Sequence, residues 1–336
     1  MNKFIKSSVI TISLVIGFFL SGDLIAFADS NDFSIAPIFS ENQREDVEGY
    51  FDMVVTPNET QSLAITIKNN SSEAQKFNVI INTATTNQNG IVDYSMTDFE
   101  KDDSMKISLK ETINIENSEI EVEANSQKDV SFELSIPEES FDGILLGGIT
   151  VEPVIEEESE GISNLVTRTL AIVLSESDDV IEPELKAGEV IVSQDNYRNN
   201  VKLELRNVTA TLINRVTAEL SIYKKGKSDP VLEQTKEQMS IAPNSKFNLM
   251  TEWNDQFDAG SYTYNINLSD EQGHEWEFTK EFEIEAEKAK ELNTTSLDEK
   301  QDSVNYYLII GIALFFILIV FCIYLVIKIK KLKKIQ

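Results

Sequence analysis

Nearly every periodic segment of the chain between residues 60 and 284 repeats its apolar residues at every second position, and this period constrains the fold more than any other feature. Leu63, Ile65 and Ile67 alternate with Ala64, Thr66 and Lys68, and the pattern returns in Phe77, Val79 and Ile81 and in Val130, Phe132, Leu134 and Ile136. The second half continues it with Val201, Leu203 and Leu205, then with Val216, Ala218, Leu220 and Ile222. The clearest case is the last. Trp276, Phe278, Phe282 and Ile284 share one face, and Glu275, Glu277, Thr279, Glu281 and Glu283 share the other. A period of two puts successive side chains on opposite faces of a pleated strand. No stretch of eleven residues before Ala286 keeps an apolar stripe at helical spacing. Short strands parted by Asn, Gly, Pro and Ser predict an all-β chain of antiparallel sandwiches.

The ends of the chain follow other rules. Lys3 and Lys6 precede an apolar stretch from Val9 to Leu20, and Ala26-Phe27-Ala28 offers a small-x-small cleavage site, so residues 1–28 read as a secretory signal peptide. Residues 306–327 run without a charge and are followed by Lys328, Lys330, Lys331, Lys333 and Lys334. At about 1.5 Å per residue that run spans roughly 33 Å, the thickness of a bilayer core. The lysines place residues 328–336 in the cytoplasm and everything before Tyr306 outside the cell.

The exported part then carries 22 basic and 56 acidic residues, a formal charge of −34. Such a surface repels nucleic acid and other polyanions, anionic wall polymers included. The only cysteine, Cys322, lies in the apolar run, so no disulfide can staple the exported domains and each must rest on its own core. An acidic stretch poor in core residues, Val154 to Ile162, parts a domain over residues 29–155 from one over 163–285. The strand-like Asn164 to Ser175 fits either domain. Residues 286–305 are polar, helix-favouring at first (EAEKAKEL), and read as a stalk reaching about 65 Å when extended.

Enzyme chemistry fails mostly by absence. His274 is the one histidine, set at a strand start with no nucleophile signature, and neither G-x-S-x-G nor a glycine-rich phosphate loop occurs. One histidine cannot build an imidazole-based zinc site. No catalytic residue, cofactor or metal ligand is therefore assigned. Carboxylate chemistry survives: a two-acid glycan hydrolase needs no histidine, and Asp98 to Asp103 supplies the oxygens of a calcium site without the spacing of an EF-hand. Tyr262, in Gly260-Ser261-Tyr262, reads as a strand-entry tyrosine whose hydroxyl bonds back to backbone. Gly143, Gly147 and Gly148 frame Ile144-Leu145-Leu146, which marks a close backbone approach, internal or by a ligand. Candidate partner-binding residues are Gly143, Leu145, Leu146 and Gly148, by strand addition to a sheet edge, with Tyr94 after the turn Asn87-Gln88-Asn89-Gly90 and Trp253 at a strand end.

Several segments in fixed order then resemble the WxL-interacting protein family of Gram-positive bacteria. They are Asn42-Gln43, Tyr50 to Asn69, Thr83 to Tyr94, Ile136 to Ile149, Ile241 to Tyr264 and Trp276 to Ile284. The resemblance implies two immunoglobulin-like β-sandwich domains in tandem, the first binding peptidoglycan and the second host matrix. It further implies a non-catalytic, single-pass membrane adaptor that holds secreted WxL-domain proteins at the cell surface. A carboxylate-dependent wall hydrolase and a chaperone-like holder of exported subunits are the alternatives from other classes.

Overall fold

The computed structural model describes residues 33–155, 165–297, 314–317 and 319. The expected signal peptide, most of the expected membrane span and the basic tail lie outside these residues. Among the described residues no helix is long and apolar enough to cross a membrane. The chain divides into two compact units. The first holds the described residues up to Thr85 with Asp93–Phe99 and Met105–Ile181, and the second holds Thr86–Val92, Glu100–Ser104 and the described residues from Glu182 onward.

The first unit has two sheets. One takes β1 (Phe33–Ile38), β3 (Thr60–Asn69), β9 (Gln127–Ser135) and β7 (Ile113–Asn114), in the order β1-β3-β9-β7. The other takes β2 (Phe51–Val54), β4 (Gln75–Thr83), β8 (Glu119–Val122), β10 (Ile144–Pro153) and β11 (Arg168–Ser175), in the order β2-β11-β10-β4-β8. β2 and β11 run parallel, while the other pairings of these two sheets are antiparallel. The short pair β5 (Thr85–Thr86) and β6 (Val92–Asp93) and the single turn α1 (Leu109–Thr112) complete the first half. The alternation works as the sequence predicts. Leu63, Ile65, Phe77, Val79, Phe132 and Leu134 meet Ile149, Ile172 and Leu174 in one core, each fully buried side chain contributing roughly 1.5–3 kcal/mol. The ambiguous strand, β11, pairs with β10 from Arg168 to Ser175 and so belongs to this unit.

The second unit repeats this wiring. β12 (Leu185–Asp195), β13 (Arg198–Asn207) and β16 (Ser245–Glu252) match β1-β3-β9 in order. β15 (Leu232–Ile241), β14 (Ile213–Lys224), β17 (Gly260–Ser269) and β18 (Glu275–Ile284) match β8-β4-β10-β11. One local device recurs as well. Asn69, fully buried, donates from Nδ2 to the carbonyls of Glu73, Val122 and Glu123 and accepts from Ser71. Asn207, also fully buried, donates to Thr211 and Ala242 and accepts from Thr209. Each side chain replaces backbone partners where a strand ends, as an Asx turn does.

Edge strand β18 keeps the predicted division. Trp276, Phe278 and Phe282 pack against the core while Glu275, Glu277, Glu281 and Glu283 stay exposed. The segment expected to open a stalk is helical at its start and packs on the second unit. Residues 286–295 form helix α2 (Ala286–Thr295), and Ala289 and Leu292 join the core of the second unit. Asn293 fixes the helix by accepting from Phe257 N–H at 2.7 Å and donating to its carbonyl at 2.8 Å.

The glycines of β10 are explained from within. A Cβ at Gly147 would collide with the Asn82 carbonyl oxygen and with Leu109, and one at Gly148 would lie 3.1 Å from the Tyr94 ring. Gly147→Ala is therefore expected to lower stability by about 1–3 kcal/mol, read from the urea midpoint at unchanged slope.

Candidate functional site

The six residues singled out in the sequence are divided between the units, five in the first and Trp253 in the second. Gly143 turns the chain into β10 at φ 68°, and Leu145 and Leu146 are buried. β10 pairs with β11 from Ile144 to Val151 and with β4 from Gly147 onward, while Ala84 N–H bonds to the Leu146 carbonyl. From Leu146 onward it is therefore an interior strand with a hydrogen-bonded neighbour on each side, which leaves no edge there for strand addition. Tyr94 and Gly148 are brought together, but as packing: the half-buried ring covers the glycine, and Asn82 Nδ2 donates to the Tyr94 carbonyl. Burial raises the pKa of its phenol, with Tyr50 nearby. Trp253, in the second unit, is 9% exposed and packs at a tilt against Phe257 and edge-to-face against Tyr262, with ring centroids at 5.1 and 5.6 Å. Tyr262 keeps its structural role, donating its hydroxyl to the Asp258 carbonyl at 2.7 Å.

An open strand edge does exist elsewhere in the first unit. β9 has β3 along one side for its whole length, but β7 covers the other side only at Glu133 and Leu134. Beyond Asn114 the chain leaves this sheet and crosses to β8, where Ser118 and Glu119 join β4. Among the described residues, the strand from Gln127 to Phe132 thus has a paired strand on one side only. The gap is a cleft of about 620 Å³. Ile120, Val130 and Phe132 line its base, Thr60, Ser62, Asn114, Asn117 and Ser131 give it hydroxyls and amides, and Glu116, Asp129 and Glu133 make it acidic. Gln61 Nε2, in the same wall, is buried without a hydrogen-bond partner among the described residues. Strand pairing revealed this site; no local sequence pattern marks it.

The corresponding edge in the second unit is covered. Residues 86–92 lie along it: Met250 N–H donates to the Gln88 carbonyl, Ser240 N–H to that of Gly90, and Thr86 Oγ1 accepts from Ala242 N–H. Residues 100–104 dock beside it. Asp102, with a fully buried carboxylate, holds Arg206 through two bonds of 2.5 and 3.0 Å, and Glu100 holds Lys246. The acidic run read as a calcium candidate is therefore an ion-pairing segment, and no group of metal ligands occurs among the described residues. His274 is held as well, by Asp270 at 2.6 Å and Glu182 at 3.2 Å. The bond to Asp270 is the main reason its pKa rises above 6.5.

A family model for the WxL Interacting Protein peptidoglycan binding domain matches residues 33–153. A model for the host binding domain of the same proteins matches residues 157–294. The chain belongs to the WxL Interacting Protein family. In this WxL Interacting Protein the β9 cleft falls within the peptidoglycan-binding match, and Trp253 and His274 within the host-binding match. No curated protein sequence matches the chain. Solved structures with some likeness include the Pseudomonas aeruginosa CupB2 chaperone, 12% identical over 68% of this chain and 95% of its own, at a TM-score of 0.29. The class 5 fimbriae chaperone CfaA is 12% identical over 74% and 98%, also at 0.29. The E. coli chaperone DraB is 13% identical over 76% and 98%, again at 0.29.

Proposed function

We propose that this chain is a single-pass cell-surface adaptor that binds peptidoglycan and holds secreted WxL-domain proteins outside the membrane, with host matrix as a further partner of the second domain. The observation that carries the reading is the ordered pair of family matches across residues 33–153 and 157–294, ahead of an uncharged run backed by five lysines. Each unit is read as an immunoglobulin-like sandwich, supported by seven strands wired alike around a single core. A scaffold role without catalysis fits these binding domains. Because α2 docks onto the second unit, the tether is short: residues 296–305 extend to about 33 Å at most. That favours a position close beneath or within the wall.

The test is sedimentation of the detergent-solubilised full chain with purified peptidoglycan. The chain is expected in the pellet with no soluble glycan released. Release of soluble fragments would turn the reading toward a carboxylate-dependent hydrolase. Protease applied to wall-stripped cells is expected to remove both domains, and protected domains would overturn the proposed orientation.

A further inference from the structure

The β9 edge has the features of a strand acceptor. Six residues, Gln127 to Phe132, lack a paired strand on one side among the described residues, which is about 20 Å of extended chain. From Asp129 onward this edge borders the cleft of about 620 Å³. The matching edge in the second unit already receives chain in this way, where Met250 N–H bonds to the Gln88 carbonyl. Unguarded edges with unpaired N–H and C=O groups recruit extended segments.

Side-chain alternation defines the occupant. In a strand laid beside β9, residues facing the same way as Val130 and Phe132 would enter the apolar base with Ile120. The intervening residues would stand beside Asp129, Ser131 and Glu133, with Glu116 on the opposite wall. Three carboxylates line the cleft and no basic side chain does. Cross-strand neighbours of opposite charge stabilise pairing, and like charges oppose it.

We propose that the open edge of β9 is the docking site for an extended segment of a partner protein in which apolar and basic residues alternate, bound as an added strand in line with β7. The proposal stands on the cleft alone and is independent of wall binding. A second copy of this chain is a poor occupant, since its formal net charge is −28.

The probe is a fluorescent seven-residue peptide of alternating lysine and valine, titrated into the full chain in detergent. Binding is expected, together with slowed amide exchange at Asp129–Phe132. A block-ordered peptide of the same composition and an alternating glutamate–valine peptide are each expected to bind roughly tenfold more weakly or worse. N-methylation of alternate residues along one peptide edge removes its donors without touching the protein, and is expected to abolish binding when it falls on the β9 side. The double variant Asp129→Lys with Glu133→Lys, both at exposed positions, should weaken the lysine–valine peptide by about tenfold and leave the melting temperature near that of the parent. Equal binding of ordered and block peptides, indifference to N-methylation on both edges, or displacement of the peptide by soluble glycan strands would each overturn the proposal. The last would assign the cleft to wall polymer.

Discussion

Arg206→Ala is expected to destabilise the second unit by about 3–5 kcal/mol, because it leaves a buried carboxylate without its counter-charge. Asp102 is 2% exposed, and its carboxylate accepts both Arg206 bonds and Ser104 N–H. The cross-strand setting adds to the effect. Arg206 on β13 stands opposite Lys246 on β16, a like-charge pair that opposes sheet formation unless neutralised. Asp102 and Glu100 neutralise it. Burial alone would raise the Asp102 pKa, but the bonds from Arg206 and Ser104 outweigh it and bring the value to about 2. The sign of the pH dependence follows. Above the ordinary value of 3.8 the carboxyl is ionised folded and unfolded, and the stabilisation is complete. As pH falls from there toward 2, the unfolded chain takes up the proton first and about 2 kcal/mol is lost. In Arg206→Ala burial acts unopposed by the guanidinium, so the gap between parent and variant should narrow as the medium is acidified. Urea unfolding of both proteins from pH 7 to pH 3 measures this, and parallel curves would remove the pair from its assigned role.

Trp253→Ala is expected to cost a similar amount, about 3–5 kcal/mol, through cavity formation. The indole packs at a tilt against Phe257 and edge-to-face against Tyr262, Tyr262 stacks on Phe282 at 5.5 Å, and Nε1 donates to the Gln256 carbonyl. Loss of the ring would loosen the turn that positions Tyr262 as well. Thermal unfolding with near-ultraviolet circular dichroism reports it directly. A variant as stable as the parent but deficient in partner capture would return Trp253 to the binding surface suggested by its place at a strand end.

The legible parts of this molecule are those governed by local alternation. Leu63, Ile65 and Ile67, or Trp276 to Ile284, show their buried faces in the sequence because a half-buried strand leaves every other residue in water. Leu145 and Leu146 were harder. Consecutive apolar residues between glycines fit an edge as well as an interior strand, and only the pairing with β11, with Ala84 N–H on the Leu146 carbonyl and β4 beyond it, decides how the strand is placed. Helix α2 announced its helicity but not its docking, since Ala289 and Leu292 alone among ten residues reach the core. Asp102 and Arg206 lie 104 positions apart, and the open side of β9 is defined by where β7 stops. Such features belong to topology, and no window of neighbouring residues contains them.

The glutamates of β18 have a bearing on self-association. They stud the outer margin of the sheet at Glu275, Glu277, Glu281 and Glu283, so two molecules approaching along that margin would bring rows of negative charge into register. Dense arrays of this protein should therefore resist zipping into filaments, and raising the salt concentration should be what first lets them cluster.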